Sequence, residues 1–129
     1  MRLNDKTDFC LRVLIYLQQN KVKARIQDIA DFHNISKNHL SVAVNNLSKL
    51  GYLQSTPGPK GGIEINPAAL NRTVAELVTK LETFDLVDCF NAETQTCNLS
   101  PQCRLKSMLK KANKSFLKEL HGYTIKDLV

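Results

Sequence analysis

Three cysteines stand close together in CFNAETQTCNLSPQC, with seven residues between Cys89 and Cys97 and five between Cys97 and Cys103. A thiolate is both a soft metal donor and a nucleophile, so such a trio suits metal ligation or disulfide exchange. Zinc usually takes closer CxxC pairs, and no neighbouring histidine completes a tetrahedron here. An iron-sulfur cluster tolerates wider, irregular spacing and needs the same thiolates. A metal-free thiol-disulfide switch uses the same sulfurs, and three incidental thiols on a loop is the plain alternative. Nucleophilic catalysis has little support, because none of His33, His39 or His121 lies near the cysteines in sequence and no third group is identifiable. The chain is therefore not expected to be an enzyme. At 129 residues it buries a core without covalent staples, so its four cysteines, Cys10 among them, read as ligands or thiols rather than bridges.

The cysteines must be held by what flanks them. Upstream, Thr73-Val74-Ala75-Glu76 reads as a capping box opening a helix, with Val74, Leu77, Val78, Leu81 and Phe84 at helical spacing. Downstream, Ser100 as N-cap and Pro101 at the first helical position predict a helix with Cys103 in its first turn beside Arg104 and Lys106. Leu105, Leu109, Ala112, Phe116, Leu117 and Leu120 give that helix an apolar face; Gly122 closes it and Thr124 caps a last turn. An amphipathic helix of about 20 residues on so small a protein needs a cover, and a second copy predicts a homodimer. Packing on the chain's own first helix is the alternative.

The first half predicts a reading module. An apolar helix spans Thr7 to Gln19, too short and too charged at its start for a signal peptide or membrane span, so a cytoplasmic protein with no membrane partner is expected. Cys10 lies in this helix as a core thiol. Ile26, Ile29 and Ala30 mark a short helix, Asn34 tolerates a left-handed turn, and Ser36 caps a third helix with a Leu40, Ala43, Val44, Leu47, Leu50 stripe. This is a helix-turn-helix. Two short alternating segments, around Tyr52 to Ser55 and Ile63 to Ile65, flank TPGPKGG and predict a β-hairpin, the wing of a winged helix. TPGPKGG lacks the GxxxxGK[ST] pattern, which argues against a nucleotide site.

With 18 Lys plus Arg against 12 Asp plus Glu, the net charge of +6 suits a polyanion. Lys37, Asn38, His39, Ser41 and Asn45 on the third helix and Lys60 at the wing tip are the candidate contacts to double-stranded operator DNA: lysines for phosphates, Asn and Ser for base edges. The fold class expected is mainly α with a small β-hairpin. Residues 1–72 form a winged helix-turn-helix domain, and residues 73–129 a cluster-binding loop with dimerisation helices.

LNDKTDFCLRVLIYL, the GGI of the wing, LVDCFNAETQTCNLSPQCRLK and FLKELHGYTIKDLV together resemble the nitric-oxide-sensing repressors among the IscR-like iron-sulfur winged-helix regulators, over nearly the whole chain. The cysteine trio followed by RLK and the YTIKDLV ending are the most specific parts. The resemblance implies a dimeric repressor holding an iron-sulfur cluster, 4Fe-4S in preference to 2Fe-2S, through Cys89, Cys97 and Cys103. It further implies that Asp8 of the other subunit completes the ligand set, and that nitric oxide acting at the cluster releases the DNA. Two features depart from the family pattern: Pro57-Gly58-Pro59 stands where an arginine often precedes the wing glycine, and the Cys89–Cys97 loop is longer.

Overall fold

The structure, a computed structural model, describes residues 1–99 and 102–129. Among these residues the chain forms five α-helices and one two-stranded antiparallel sheet: α1 (Asp5–Asn20), α2 (Ile26–His33), α3 (Lys37–Lys49), β1 (Leu53–Thr56), β2 (Gly62–Ile65), α4 (Val74–Leu81) and α5 (Arg104–His121). This is the expected winged helix, mainly helical. Asn4 opens α1 by accepting from the Thr7 amide at 2.9 Å, while its own side-chain amide donates to the Leu81 carbonyl at 2.9 Å. One side chain thus caps α1 and fastens it to the end of α4. Asn34 takes the left-handed conformation expected of it (φ 53°), and Ser36 caps α3 by accepting from the His39 amide.

A single core joins these elements. Val13 and Leu14 of α1, Ile29 of α2, Leu40 and Leu47 of α3, Tyr52, Leu77 and Val78 of α4, and Ile125 near the chain end are all buried in one cluster. Each such side chain contributes about 1.5–3 kcal/mol by leaving water. Ile125 gets there because the final turn (Ile125–Leu128) is capped by Thr124, whose amide and hydroxyl both donate to the Asp127 carboxylate. The Ile125 amide donates to the Arg72 carbonyl at 2.9 Å and holds the turn against the loop before α4.

The wing is pinned rather than free. Leu53 pairs with Ile65 and Thr56 with Gly62, and Ala24 adds a third, one-residue rung: the Ile63 amide donates to Ala24 at 2.8 Å and the Ala24 amide to Ile63 at 3.0 Å. This close approach explains GlyGly in the wing. A Cβ on Gly62 would stand 2.8 Å from the Ala24 carbonyl oxygen at a backbone φ of 151°, and one on Gly61 1.9 Å from the Thr56 oxygen.

Arg72 joins the reading half to α4. Its guanidinium lies 3.8 Å from the Tyr52 ring centroid, donates to the Leu50 carbonyl at 2.6 Å, and pairs with Glu76 at 2.6 Å. The predicted capping box of α4 is therefore half formed. Thr73 accepts from the Glu76 amide, but the Glu76 carboxylate turns to Arg72 and Lys80.

Two boundaries differ from the sequence expectation. The helical spacing continues to Phe84, yet α4 ends at Leu81, because Glu82 is extended and Phe84 is left-handed (φ 56°). Phe84 instead turns onto α5, its ring 6.3 Å from Phe116 and its carbonyl accepting from Asn113 at 3.0 Å. The last long helix starts at Arg104, with Cys103 as its extended N-cap (φ −73°, ψ 114°) rather than a first-turn residue. The predicted roles of Ser100 and Pro101 lie outside the described residues. Neither does α5 pack chiefly on α1; its main neighbour is α4. Leu109, Phe116, Leu117 and Leu120 are half-buried there, and Leu105 is 55% exposed.

Candidate DNA-reading surface and cysteine segment

The amphipathic period of α3 sends Leu40, Ala43, Val44 and Leu47 into the core and leaves Lys37, Asn38, His39 and Asn45 exposed on its other face. Ser41 is half-buried and its hydroxyl donates to the Lys37 carbonyl at 2.8 Å, which leaves the oxygen free to accept. Lys60 stands exposed in the turn between β1 and β2. The structure thus presents the third helix's polar residues and the wing lysine to solvent, on a frame that the Ala24–Ile63 rung makes stiff. Such a face offers charge for phosphates and neutral donors and acceptors for base edges.

Cys89 lies in a short turn (Asp88–Phe90) beyond the Phe84 bend, Cys97 in the loop that follows, and Cys103 at the head of α5. All three thiols are free and part-exposed. Among the described residues no group of three or more His, Cys, Asp or Glu side chains gathers at metal-ligand distance. The segment brings the sulfurs onto one connection without assembling them. As a donor set, three free, part-exposed thiols fit an iron-sulfur cluster, which is held by thiolates at irregular spacing. Asp8, in the first turn of α1, pairs with Arg12 at 2.8 Å, and both side chains are about two-fifths exposed (42% and 43%).

Cys10 behaves differently from the trio. It is fully buried, its thiol donates to the Ala43 carbonyl at 3.5 Å, and burial pushes its pKa up to about 12. It is a core residue that ties α1 to α3.

Sequence reasoning did not connect the surroundings of Asp8 with α2. Tyr16 of α1 and Phe32 and His33 of α2 form an edge-on aromatic trio with centroids 4.9 to 6.2 Å apart. The His33 Nε2 is buried without a hydrogen-bond partner among the described residues. Burial lowers the His33 pKa below 6.5; the Arg12 charge adds to this and the Asp8 carboxylate opposes it. Contacts between α1 and α2, 16 or 17 residues apart, leave no period in the sequence, and only the aromatic types could have hinted at them.

A family model described as Rrf2, iron-dependent transcriptional regulator, matches residues 3–129. An HTH-type transcriptional regulator NsrR from Bacillus licheniformis is 42% identical over 132 residues, covering 100% of this chain and 92% of the relative. Its counterpart from Shouchella clausii is 40% identical, covering 100% and 89%. Among solved structures, T. potens IscR superposes with a TM-score of 0.74 at 20% identity over 99% of this chain and 85% of that one. CymR, described as the global cysteine regulator of B. subtilis, gives 0.74 at 21% identity over 99% and 95%. At those identities the likeness to the solved structures is one of fold. The relatives at about two-fifths identity go further: this is a transcriptional regulator rather than an enzyme, and the chain belongs to the Rrf2 family as a regulator of the NsrR type.

Proposed function

We propose that the chain is a cytoplasmic repressor that binds double-stranded operator DNA as a homodimer and releases it in response to nitric oxide, through an iron-sulfur cluster. The observation that carries this reading is the full-length likeness to NsrR regulators at 39–42% identity, together with three free, part-exposed thiols on the segment joining α4 to α5. Residues 1–72 form the DNA-binding part and residues 73–129 the regulatory part. On the DNA, Lys37 and Lys60 contact phosphates, while Asn38, His39, Ser41 and Asn45 face base edges in the major groove.

Cys89, Cys97 and Cys103 would hold the cluster, 4Fe-4S in preference to 2Fe-2S, with Asp8 of a second copy as the fourth donor. When bound, it supplies iron that reacts with nitric oxide. The remainder of the switch belongs to the chain. Cys103 stands at the N-cap position of α5, and Cys89 follows the bend where Phe84 packs on Phe116, so a rearrangement of the thiols would reach the α4–α5 contact from its Phe84 end and along α5. From α4 the path to the reading helix is short: Glu76 holds Arg72, and Arg72 holds the Leu50 carbonyl at the end of α3.

The test is an ultraviolet-visible spectrum with iron and sulfide analysis on anaerobically purified protein, then a nitric oxide titration in the presence of duplexes selected from a random pool. Expected are absorption near ~400 nm that bleaches with nitric oxide, and loss of duplex binding in step with it. Cys97→Ser should remain a folded dimer without iron or selective binding. Full, nitric-oxide-sensitive binding by that variant overturns the cluster assignment. The same free thiols would serve one second reading, a metal-free thiol-disulfide switch, which requires iron-free protein even after reconstitution and a DNA affinity that dithiothreitol reverses.

A further inference from the structure

The positive charge of this chain is not concentrated on its reading helix. Residues 1–72 carry ten Lys and Arg against five Asp and Glu, whereas residues 73–103 are acidic, with Lys80 alone against five carboxylates. Then α5 alone has six basic residues against Glu119. A surplus of five charges on 18 residues nearly equals the +6 of the whole chain, and the acidic segment separates it from the winged helix.

Position sharpens the point. Lys106, Lys110, Lys114 and Lys118 recur every four residues, with Lys111 beside them, so they form one row along α5 about 18 Å long. Four of the five, with Ser107 and, at its N-terminal end, Cys103, line a shallow groove of about 530 Å³. Among the described residues none of the five is in an ion pair. Like charges at i, i+4 repel, so the row is unfavourable for the isolated helix and calls for an anionic partner. The exposed apolar residues Leu105 and Met108 recur at a different spacing and fall on another side of the helix, open to a second copy.

The composition of the row selects the partner. Protein interfaces favour aromatic residues and arginine and are depleted of lysine, and this row contains neither aromatic nor arginine. A membrane-lying helix needs apolar side chains on the inserted face beside the basic ones. Lysines with a hydroxyl among them and neither aromatic nor arginine in the row match a phosphate backbone, where contacts are charged and independent of sequence. We propose that the lysine row of α5 is a second, sequence-independent surface for duplex DNA, separate from α3 and the wing. It rests on the DNA-binding reading above only in supposing that the chain works on DNA. The row would hold flanking or neighbouring duplex while α3 reads a site.

The test uses the full-length, anaerobically purified protein and a non-operator duplex, followed by anisotropy between about 50 and 200 mM salt. The variant K110Q/K111Q/K114Q retains helix-forming side chains at exposed positions, and circular dichroism checks its fold. Each phosphate contact contributes a slope of about 0.9 in log affinity against log salt, so the slope should fall by about 2.7. In parallel, Asn38→Ala should relax preference among duplexes but leave this non-specific slope unchanged. An unchanged slope in the lysine variant overturns the proposal. So does loss of binding to phosphatidylglycerol vesicles with DNA binding intact. Failure of Asn38→Ala to alter preference, with the lysine effect present, instead indicts the assignment of α3 and leaves the α5 surface standing.

Discussion

Arg72→Met tests how the reading half is fastened to the regulatory helices. Methionine keeps the unbranched stem but removes the guanidinium from three partners at once: the Leu50 carbonyl, the Tyr52 ring and Glu76. A hydrogen bond from a charged donor is worth about 1.5–3 kcal/mol, and a partly exposed cation–π contact about 0.5–1 kcal/mol. The Arg72 side chain is only 22% exposed, so these two count nearly in full. Glu76 is 39% exposed, and screening limits its pair to under about 1 kcal/mol. The expected loss is about 2–4 kcal/mol, or about 6–12 °C in thermal midpoint for a chain of this size, measured by calorimetry at fixed protein concentration. The pH dependence has a definite sign. Hydrogen bonding from Arg72 holds the Glu76 carboxyl below its ordinary 4.5, so the pair stabilises the fold above the unfolded-state pKa and fades as pH falls through the lower folded value. The gap between wild type and variant should hold at neutral pH and narrow below about pH 4. A midpoint shift under about 2 °C, or a gap that widens on acidification, refutes Arg72 as the fastening.

Other substitutions probe single features. Gly62→Ala drives a Cβ toward the Ala24 oxygen and should cost about 1–3 kcal/mol in denaturant unfolding and weaken DNA binding through the wing; wild-type stability would mean the Ala24 rung is dispensable. Cys10→Ala should lose about 1 kcal/mol yet keep full iron on reconstitution, since its thiol is a buried core group; iron loss would make it a ligand. Lys60→Gln should weaken binding to all duplexes and lower the salt slope by about 0.9, and an effect on sequence preference alone would contradict a phosphate role. Because burial lowers the His33 pKa, protonation favours the unfolded state, and wild-type stability should decline as pH drops below 6.5. His33→Gln should lack that decline in thermal scans.

Periodicity and local cap chemistry made the winged helix readable. The stripe from Leu40 to Leu47, the left-handed Asn34 and the Ser36 cap each follow from residues within one turn, and each holds in the structure. Phe84 shows the limit: its apolar spacing prolongs the pattern of α4, but the chain has already turned, and the ring serves α5 instead. Cys103 shows another, since an extended cap and a first-turn residue differ by one peptide. Gly122 ends α5 as expected but in a right-handed conformation. Arg72, Ala24 and Ile125 were invisible because their roles depend on partners 20 to 53 residues away, Leu50 and Tyr52 for Arg72, Ile63 for Ala24 and Arg72 for Ile125. The three cysteines stood out as candidate donors by type and spacing, whereas their dispersion along the α4–α5 connection among the described residues is a property of the folded chain.

The Ala24–Ile63 rung bears on how a signal can be transmitted at all. With the hairpin stitched to the strand-like link before α2, the wing is tied to the helix-turn-helix, and in the proposed dimer each protomer would read DNA as one rigid die. A stimulus that left the die unchanged would act, in that proposed dimer, on the pitch between two dies. Operator half-sites repeat at about 34–36 Å, so a tilt of a few degrees at the far end of each protomer puts one die out of phase with the double helix. Such a switch is digital in its effect on binding although nothing in the reading head has changed shape.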